Sequence, residues 1–309
     1  MPSKDKTAKA VRTLVECSPH RTTGGGFYKG LMDHHAEYES HIEELAIKTF
    51  VLCHDVRKIS SQPITETYEL DGRLHGYTPD FIVDAFVPQL RIEVKSLAHL
   101  AKGGSRSDKY LAIAAAYRQQ HFPFSFLVDA QLEAQPRREN VELLWRYANS
   151  TVPTHVVEQA TLALTRGPLA VPELLATTSL ALVDVWTLVA TKHLCFDWGT
   201  RLDRHTSVVS LPDQPFGGLR LEDVLSSTRY GGLLAEMAMG RRPTDRRLLA
   251  DAATWRRHDC PLEPWSFVGG TALKTPLRSL EPTEQFPRDS QRRRDFAPGK
   301  RPFPARDAG

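Results

Sequence analysis

The sequence predicts an α/β fold: a mixed sheet flanked by helices, then a helical unit closed by a small hairpin, then a largely disordered C-terminal extension. Three observations predict it. Between about Asp33 and Val128 the apolar spacing switches between helical and strand periods, in the order helix, three strands, helix, strand. From Pro136 to about Val209, short helical segments dominate and end in two strand-like runs. Beyond Leu211 the periodicity fades, and residues 274–309 hold six prolines and nine Lys or Arg against five Asp or Glu, a composition that buries too little apolar surface to fold.

Taken in order, residues 1–27 are polar, run into Gly24-Gly25-Gly26 and read as a flexible arm. In the first helix Ile42, Leu45, Ala46, Thr49, Phe50 and Cys53 recur at helical spacing and form one stripe. Strands follow at Ile64–Leu70 and Leu74–Asp84, joined by Asp71-Gly72, a strong hairpin turn. A third strand spans Leu90–Leu97. After Gly103-Gly104 an alanine-rich helix covers Ser107–His121, and Phe124–Val128 is a short apolar strand. These elements make a first domain of residues 28–135. Helical segments at Arg138–Ala148, Thr154–Thr165, Val171–Thr177 and Leu180–Leu194 follow, then strand-like Leu194–Trp198 and Leu202–Val209 around Gly199. Short helices closed by a small hairpin suit a winged-helix-like second domain, 136–210, and equally a structural bundle. Residues 211–309 remain as an extension, with room for a helix or two at Leu219–Gly240 and a basic, proline-rich tail that is expected to tether the chain to DNA or a protein partner.

Composition narrows the function classes. Hydrophobic residues are 41% and charged residues 25%, an ordinary globular balance. The 40 Lys and Arg nearly cancel 37 Asp and Glu, leaving +3, so overall charge neither demands nor excludes nucleic acid. Cys17, Cys53, Cys195 and Cys260 lack zinc-site spacing and read as scattered reduced thiols. No apolar run reaches membrane-spanning length and the start lacks a signal-peptide core, so a soluble, cytoplasmic protein without a membrane partner is expected. The absence of a GxxxxGK loop argues against ATP hydrolysis, and no Ser or Cys nucleophile motif stands out.

The chemistry lies in Tyr77-Thr78-Pro79-Asp80-Phe81-Ile82-Val83 and Arg91-Ile92-Glu93-Val94-Lys95. Residues two apart on a strand share a face, so Glu93 and Lys95 point one way while Ile92 and Val94 point the other. Asp80 heads the preceding apolar strand, where pairing brings it beside Glu93. Two converging carboxylates repel, and a bound Mg²⁺ relieves that repulsion by sharing their oxygens. Such an ion polarises a scissile phosphate and acidifies an attacking water. Lys95 then stands against the same phosphate and stabilises the developing charge. Alone, Glu93 and Lys95 read as an ion pair on a solvated face; Pro79-Asp80 and the apolar strand between shift the balance towards a metal site. Glu43, bordering the helix stripe, is a further carboxylate leaning over the sheet. Its neighbour Glu44 pairs with Lys48 at i+4 as an ordinary surface pair, and Glu39 reads as a helix-surface residue. His34, His35, His41, His54 and His75 read as exposed or satisfied histidines.

Helix Glu, then Pro-Asp, then Glu-x-Lys resembles the PD-(D/E)XK nuclease superfamily, with its restriction-endonuclease-like core. Finer features resemble the TnsA endonuclease subunits of heteromeric cut-and-paste transposases: Glu39-Ser40-His41-Ile42-Glu43, Gln62-Pro63, Gly72-Arg73, Tyr77-Thr78-Pro79-Asp80-Phe81 and Ile92-Glu93-Val94-Lys95. The resemblance covers residues 28–210, more closely in the first half. It implies Asp80 and Glu93 as metal ligands, the Val94 backbone carbonyl completing the shell, Lys95 as catalytic lysine and Glu43 as the helix carboxylate and a further metal contact. His41 stands where the family more often has an apolar residue. Mg²⁺ is the implied ion, with Mn²⁺ as its substitute. The implied activity is hydrolysis of the 5′, non-transferred strand of double-stranded DNA at transposon ends. The implied partners are the DDE transposase subunit TnsB and the AAA+ regulator TnsC. Two other readings stand beside it: a stand-alone restriction or repair endonuclease of the same superfamily, and a non-catalytic DNA-binding adaptor.

Overall fold

The computed structural model describes residues 24–85 and 89–256. The first half runs β1 (Gly24–Gly26), β2 (Ala36–Tyr38), α1 (His41–Leu52), β3 (Lys58–Ser61), β4 (Glu66–Leu70), β5 (Arg73–Tyr77), β6 (Phe81–Asp84), β7 (Leu90–Lys95), α2 (Leu97–Ala101), α3 (Ser105–Gln119) and β8 (Phe124–Val128). The second runs α4 (Asp129–Leu132), α5 (Arg137–Leu144) with a 3₁₀ turn at Trp145–Tyr147, α6 (Thr154–Leu164), β9 (Leu169–Ala170), α7 (Val171–Thr177), α8 (Leu182–Ala190), β10 (Cys195–Phe196), β11 (Val208–Ser210), α9 (Leu221–Ser226), α10 (Gly231–Ala238) and α11 (Arg246–Thr254). The α/β class is as the sequence predicts.

The central sheet has the order β3-β6-β7-β8, antiparallel except for the parallel pair β7-β8. Its two faces bury different cores, as period-two alternation requires. Ile59, Phe81, Val83, Ile92, Val94 and Leu127 face α1 in one cluster. Phe126 and Val128 face the other way, with Tyr77, Leu97, Tyr110, Ile113 and Tyr117.

The long strand expected over Leu74–Asp84 is two strands. β5 pairs only with β4, in a separate ribbon, and β6 joins the central sheet. The break falls at Thr78-Pro79-Asp80, where proline has no N–H to give a ladder. At its base the ribbon is held by Arg91, whose guanidinium meets the Glu66 carboxylate at 2.9 Å and lies over the Phe122 ring at 3.7 Å. Strand β3 has no counterpart in the sequence reading, because Lys-Ile-Ser-Ser carries one apolar residue and shows no pattern. Helix α2, too short for periodicity, also escapes that reading.

Two expectations about order change. Gly24–Gly26, read as the end of an arm, is strand β1 paired with β2, and Tyr28, Met32 and Ala36 are buried in the main core. Residues 211–256, read as the start of an extension with a helix or two at Leu219–Gly240, contain three helices: α9 and α10 fall within that span as expected, and α11 lies beyond it. Tyr230, Leu233, Leu234, Met237, Ala252 and Trp255 complete the core on the Phe126 face of the sheet. Residues 1–23 and the basic tail lie outside the described residues.

The expected helices of residues 136–210 are present, and their hairpin is looser than expected. β10 and β11 are short, and β11 also pairs with β9, giving the order β10-β11-β9. Leu164, Val171, Leu174, Val185, Leu188, Phe196 and Val209 belong to the same core as α1, so apolar packing continues across Pro136. Among the described residues no single helix is long and apolar enough to cross a membrane; α7 and α8 pass that test only together, as a pair bent by 119°.

Candidate active site

The register of the central sheet builds the site. Phe81 pairs with Ile92, both facing α1. Asp80 precedes Phe81 and Glu93 follows Ile92, so both carboxylates fall on the opposite face. Glu93 pairs in register with Phe126, which puts it among Tyr77, Tyr117 and Phe126 at 3% exposure. The backbone of Asp80 is fixed from the other side, since its carbonyl accepts from the Gln62 N–H at 3.0 Å. Gln62 holds φ 43°, where the chain swings from β3 into the ribbon.

Lys95 gathers these groups. Its Nζ lies 2.8 Å from Glu93 Oε1, 3.1 Å from Asp80 Oδ2 and 3.0 Å from the Val94 carbonyl oxygen. Asp80 Oδ2 also accepts from the Val94 N–H at 2.8 Å. Three of the sequence-selected groups (Asp80, Glu93 and the Val94 carbonyl) therefore meet around a fourth, the Lys95 ammonium. Burial would lower the pKa of Lys95, but Glu93 and Asp80 outweigh it and hold the amine well above its ordinary value. For Glu93, burial and then the Asp80 charge push the pKa far above the carboxylate range, against the pull of Lys95 and Tyr77.

Glu43 occupies the first turn of α1, which Ser40 caps by accepting from the Glu43 N–H at 3.2 Å. Its carboxylate accepts from Ser40 Oγ at 2.9 Å and from the Glu39 N–H at 2.8 Å. Burial and the Asp80 charge raise its pKa, and Lys95 lowers it, so Glu43 shares the electrostatics of the site. Glu39 lies just before the helix rather than on its surface, and His41 is exposed beside Glu44 at 3.2 Å.

The Glu44–Lys48 pair is not the surface pair expected. Lys48 is buried, bridges Glu44 at 3.1 Å and Glu142 at 3.3 Å, and lies 4.6 Å from the centroid of Trp145. Its role is to tie α1 to α5, and the outer face of α1 is covered because the following helices pack there. Of the histidines, His34, His35 and His75 are exposed, with His75 stacked on Tyr68, while His54 is partly buried beside Cys195 at 3.8 Å.

Tyr77 is the residue that sequence reasoning underrated. Its hydroxyl donates to Glu93 Oε2, and burial together with the Glu93 charge pushes its own pKa up, keeping it a donor. Its place in the Tyr-Thr-Pro-Asp run was visible; its partner was not, because β5 leaves the sheet before Asp80 rejoins it.

The donor set suits a small divalent cation. Two carboxylates and a carbonyl are hard oxygen ligands, and Mg²⁺ is held by one or two carboxylates with retained waters. The mutual repulsion that raises Glu93 is the kind that a cation between the two would relieve. The Glu43 carboxylate, whose oxygens accept from Ser40 and the Glu39 amide, is a third acidic group within electrostatic reach of Asp80. No protein-family model matches the chain, and no curated protein matches it.

Proposed function

We propose that this chain is a Mg²⁺-dependent DNA endonuclease of the PD-(D/E)XK type. In this reading it cuts the 5′, non-transferred strand at transposon ends, leaving 5′-phosphate and 3′-hydroxyl products. The observation that carries the proposal is the convergence of Asp80, Glu93 and the Val94 carbonyl on Lys95 Nζ. Asp80, Glu93 and the Val94 carbonyl would hold the ion, which when bound polarises the phosphate and acidifies water. Lys95 supplies a fixed positive charge to the phosphate oxygens, and Tyr77 keeps one Glu93 oxygen oriented. Glu43 adds negative potential from the helix side and biases Lys95 to stay charged.

The substrate half of the proposal rests on the resemblance of residues 28–210 to TnsA subunits. It brings double-stranded transposon-end DNA, a DDE transposase partner (TnsB) and an AAA+ regulator (TnsC), and it places the chain in the bacterial cytoplasm. The order α6, β9, α7, α8, β10, β11, with β11 between β10 and β9, supports a winged-helix-like unit there. The helix that would read bases in such a unit is α8, and Val185–Ala190 are all buried. Sequence choice then falls to the transposase partner.

The test combines the protein, its partner transposase and end DNA. Asp80→Ala is expected to lower 5′-strand cleavage by at least ~10²-fold while leaving 3′-strand cleavage to the partner. Native-rate 5′ cutting by that variant would remove the assignment.

A further inference from the structure

The reading above leaves α10 and α11 without a role, and the turn between them is unusually rich in arginine. Four arginines (Arg241, Arg242, Arg246 and Arg247) fall within seven residues. We propose that this turn is a docking surface for the backbone of duplex DNA flanking the cleaved phosphate, an inference that rests on the nuclease reading.

The turn is built rather than loose. Gly240 ends α10 with φ 72°, and the Arg241 N–H returns to the Glu236 carbonyl at 3.0 Å, a left-handed helix stop. A Cβ on Gly240 would come within 2.7 Å of the Ala115 Cβ, so the turn is seated directly on α3. Arg242 is moored to Asp108 of α3 at 2.6 Å, and the Thr244 N–H to the Glu236 carboxylate at 3.0 Å. Asp245 caps α11 through the backbone amides of Arg247 and Leu248, leaving the Arg247 guanidinium uncommitted. Arg241, Arg246 and Arg247 are exposed, and their side chains have no ion pair or hydrogen bond among the described residues.

Position and chemistry select the occupant. Helix α11 packs on α2, which begins two residues after Lys95. The exposed Lys102 ends α2, and exposed Lys109 adjoins the moored Asp108. A turn anchored on α3 that presents exposed, unengaged arginines, on the same side of the molecule as the helix that follows Lys95, matches phosphates, which arginine binds through a rigid fork of donors. Holding the turn in place beforehand removes part of the ordering cost of binding.

The experiment measures binding of the full chain to a labelled duplex across a salt series, for the wild type and for the combined variant R241Q/R246Q/R247Q. Thermal unfolding serves as the folding control. The expected result is at least ~10-fold weaker binding at about 0.1 M salt, and a log Kd against log salt slope smaller by about 2 to 3. Unchanged affinity and slope overturn the inference, whatever cleavage shows. Unchanged duplex binding with lost affinity for polyglutamate assigns the surface to an acidic protein and also overturns it. Duplex binding that depends on the arginines, with no 5′-strand cleavage under any divalent metal when the partner transposase and end DNA are present, would instead remove the nuclease reading and leave the surface standing.

Discussion

Glu93 holds the least comfortable charge in the site, buried beside Asp80 and stabilised by Lys95 and Tyr77. A cation can displace a proton from such a group, so binding and protonation compete. Mg²⁺ affinity is therefore expected to rise with pH from 6 to 8.5, by up to about tenfold per unit while Glu93 stays protonated. Isothermal titration across that range checks it, and a flat profile would exclude Glu93 from the binding set. Tyr77 acts on the same equilibrium. Losing a hydrogen bond to a charged acceptor costs about 1.5–3 kcal/mol, so Tyr77→Phe should raise the Glu93 pKa by about one unit or more. Its signature is an acid limb of the cleavage profile displaced to higher pH, with activity recovering as pH rises. A uniform loss at all pH values would show that Tyr77 is only a packing group.

At the scale of elements, the segment after β11 is strapped across the end of α1. The His54 N–H donates to the Leu219 carbonyl at 2.7 Å and Asp55 accepts from the Leu221 N–H at 3.0 Å, while the Lys192 ammonium, from the turn after α8, reaches the Cys53 carbonyl at 2.5 Å. Gly218 lies against the His54 ring so closely that an added Cβ would overlap it. Gly218→Ala should destabilise the protein by roughly 1–3 kcal/mol, read by chemical denaturation. His54 is held neutral: burial first, then Lys192 and Arg220, lower its pKa to about 4 from an ordinary 6.5. The folded pKa is depressed, so below about 6.5 the unfolded chain takes up a proton that the folded one refuses. The stability that neutral His54 provides is present above that value and is lost as pH falls towards 4. His54→Asn should flatten the decline between pH 7 and 5, and an unchanged slope would exclude His54 as its source.

At the scale of the whole molecule, two apolar cores back onto one four-stranded sheet, and both depend on residues remote in sequence. The α1 face is completed by Val141, Leu144, Leu188 and Leu221. The Phe126 face is completed by Tyr230, Leu234, Met237 and Trp255. A chain ending at residue 210 would expose Phe126, Tyr110 and Tyr117 to water, so it is expected to lose cooperative unfolding or to aggregate. A sharp, wild-type-like transition in that truncated chain would show that α9–α11 are an appendage.

Elements with strong local periodicity were legible from the residues alone: the stripe of α1, the apolar run of β8, the Asp71-Gly72 hairpin turn and the alanine-rich α3. So was the approach of Asp80 and Glu93 to Lys95, because strand alternation fixes which side chains share a face. Elements of three to five residues, such as β1, β3 and α2, are too short to show a period and appeared only through their partners. The same holds for Tyr77 on Glu93 and for Lys48 as an interior strut, since each depends on which chain packs opposite. Sequence by itself determined the α/β class and singled out Asp80, Glu93 and Lys95, which the fold brings together. Tertiary structure alone decided what surrounds them, because burial, and with it the charge state of Glu93, is a property of neighbours drawn from distant parts of the chain.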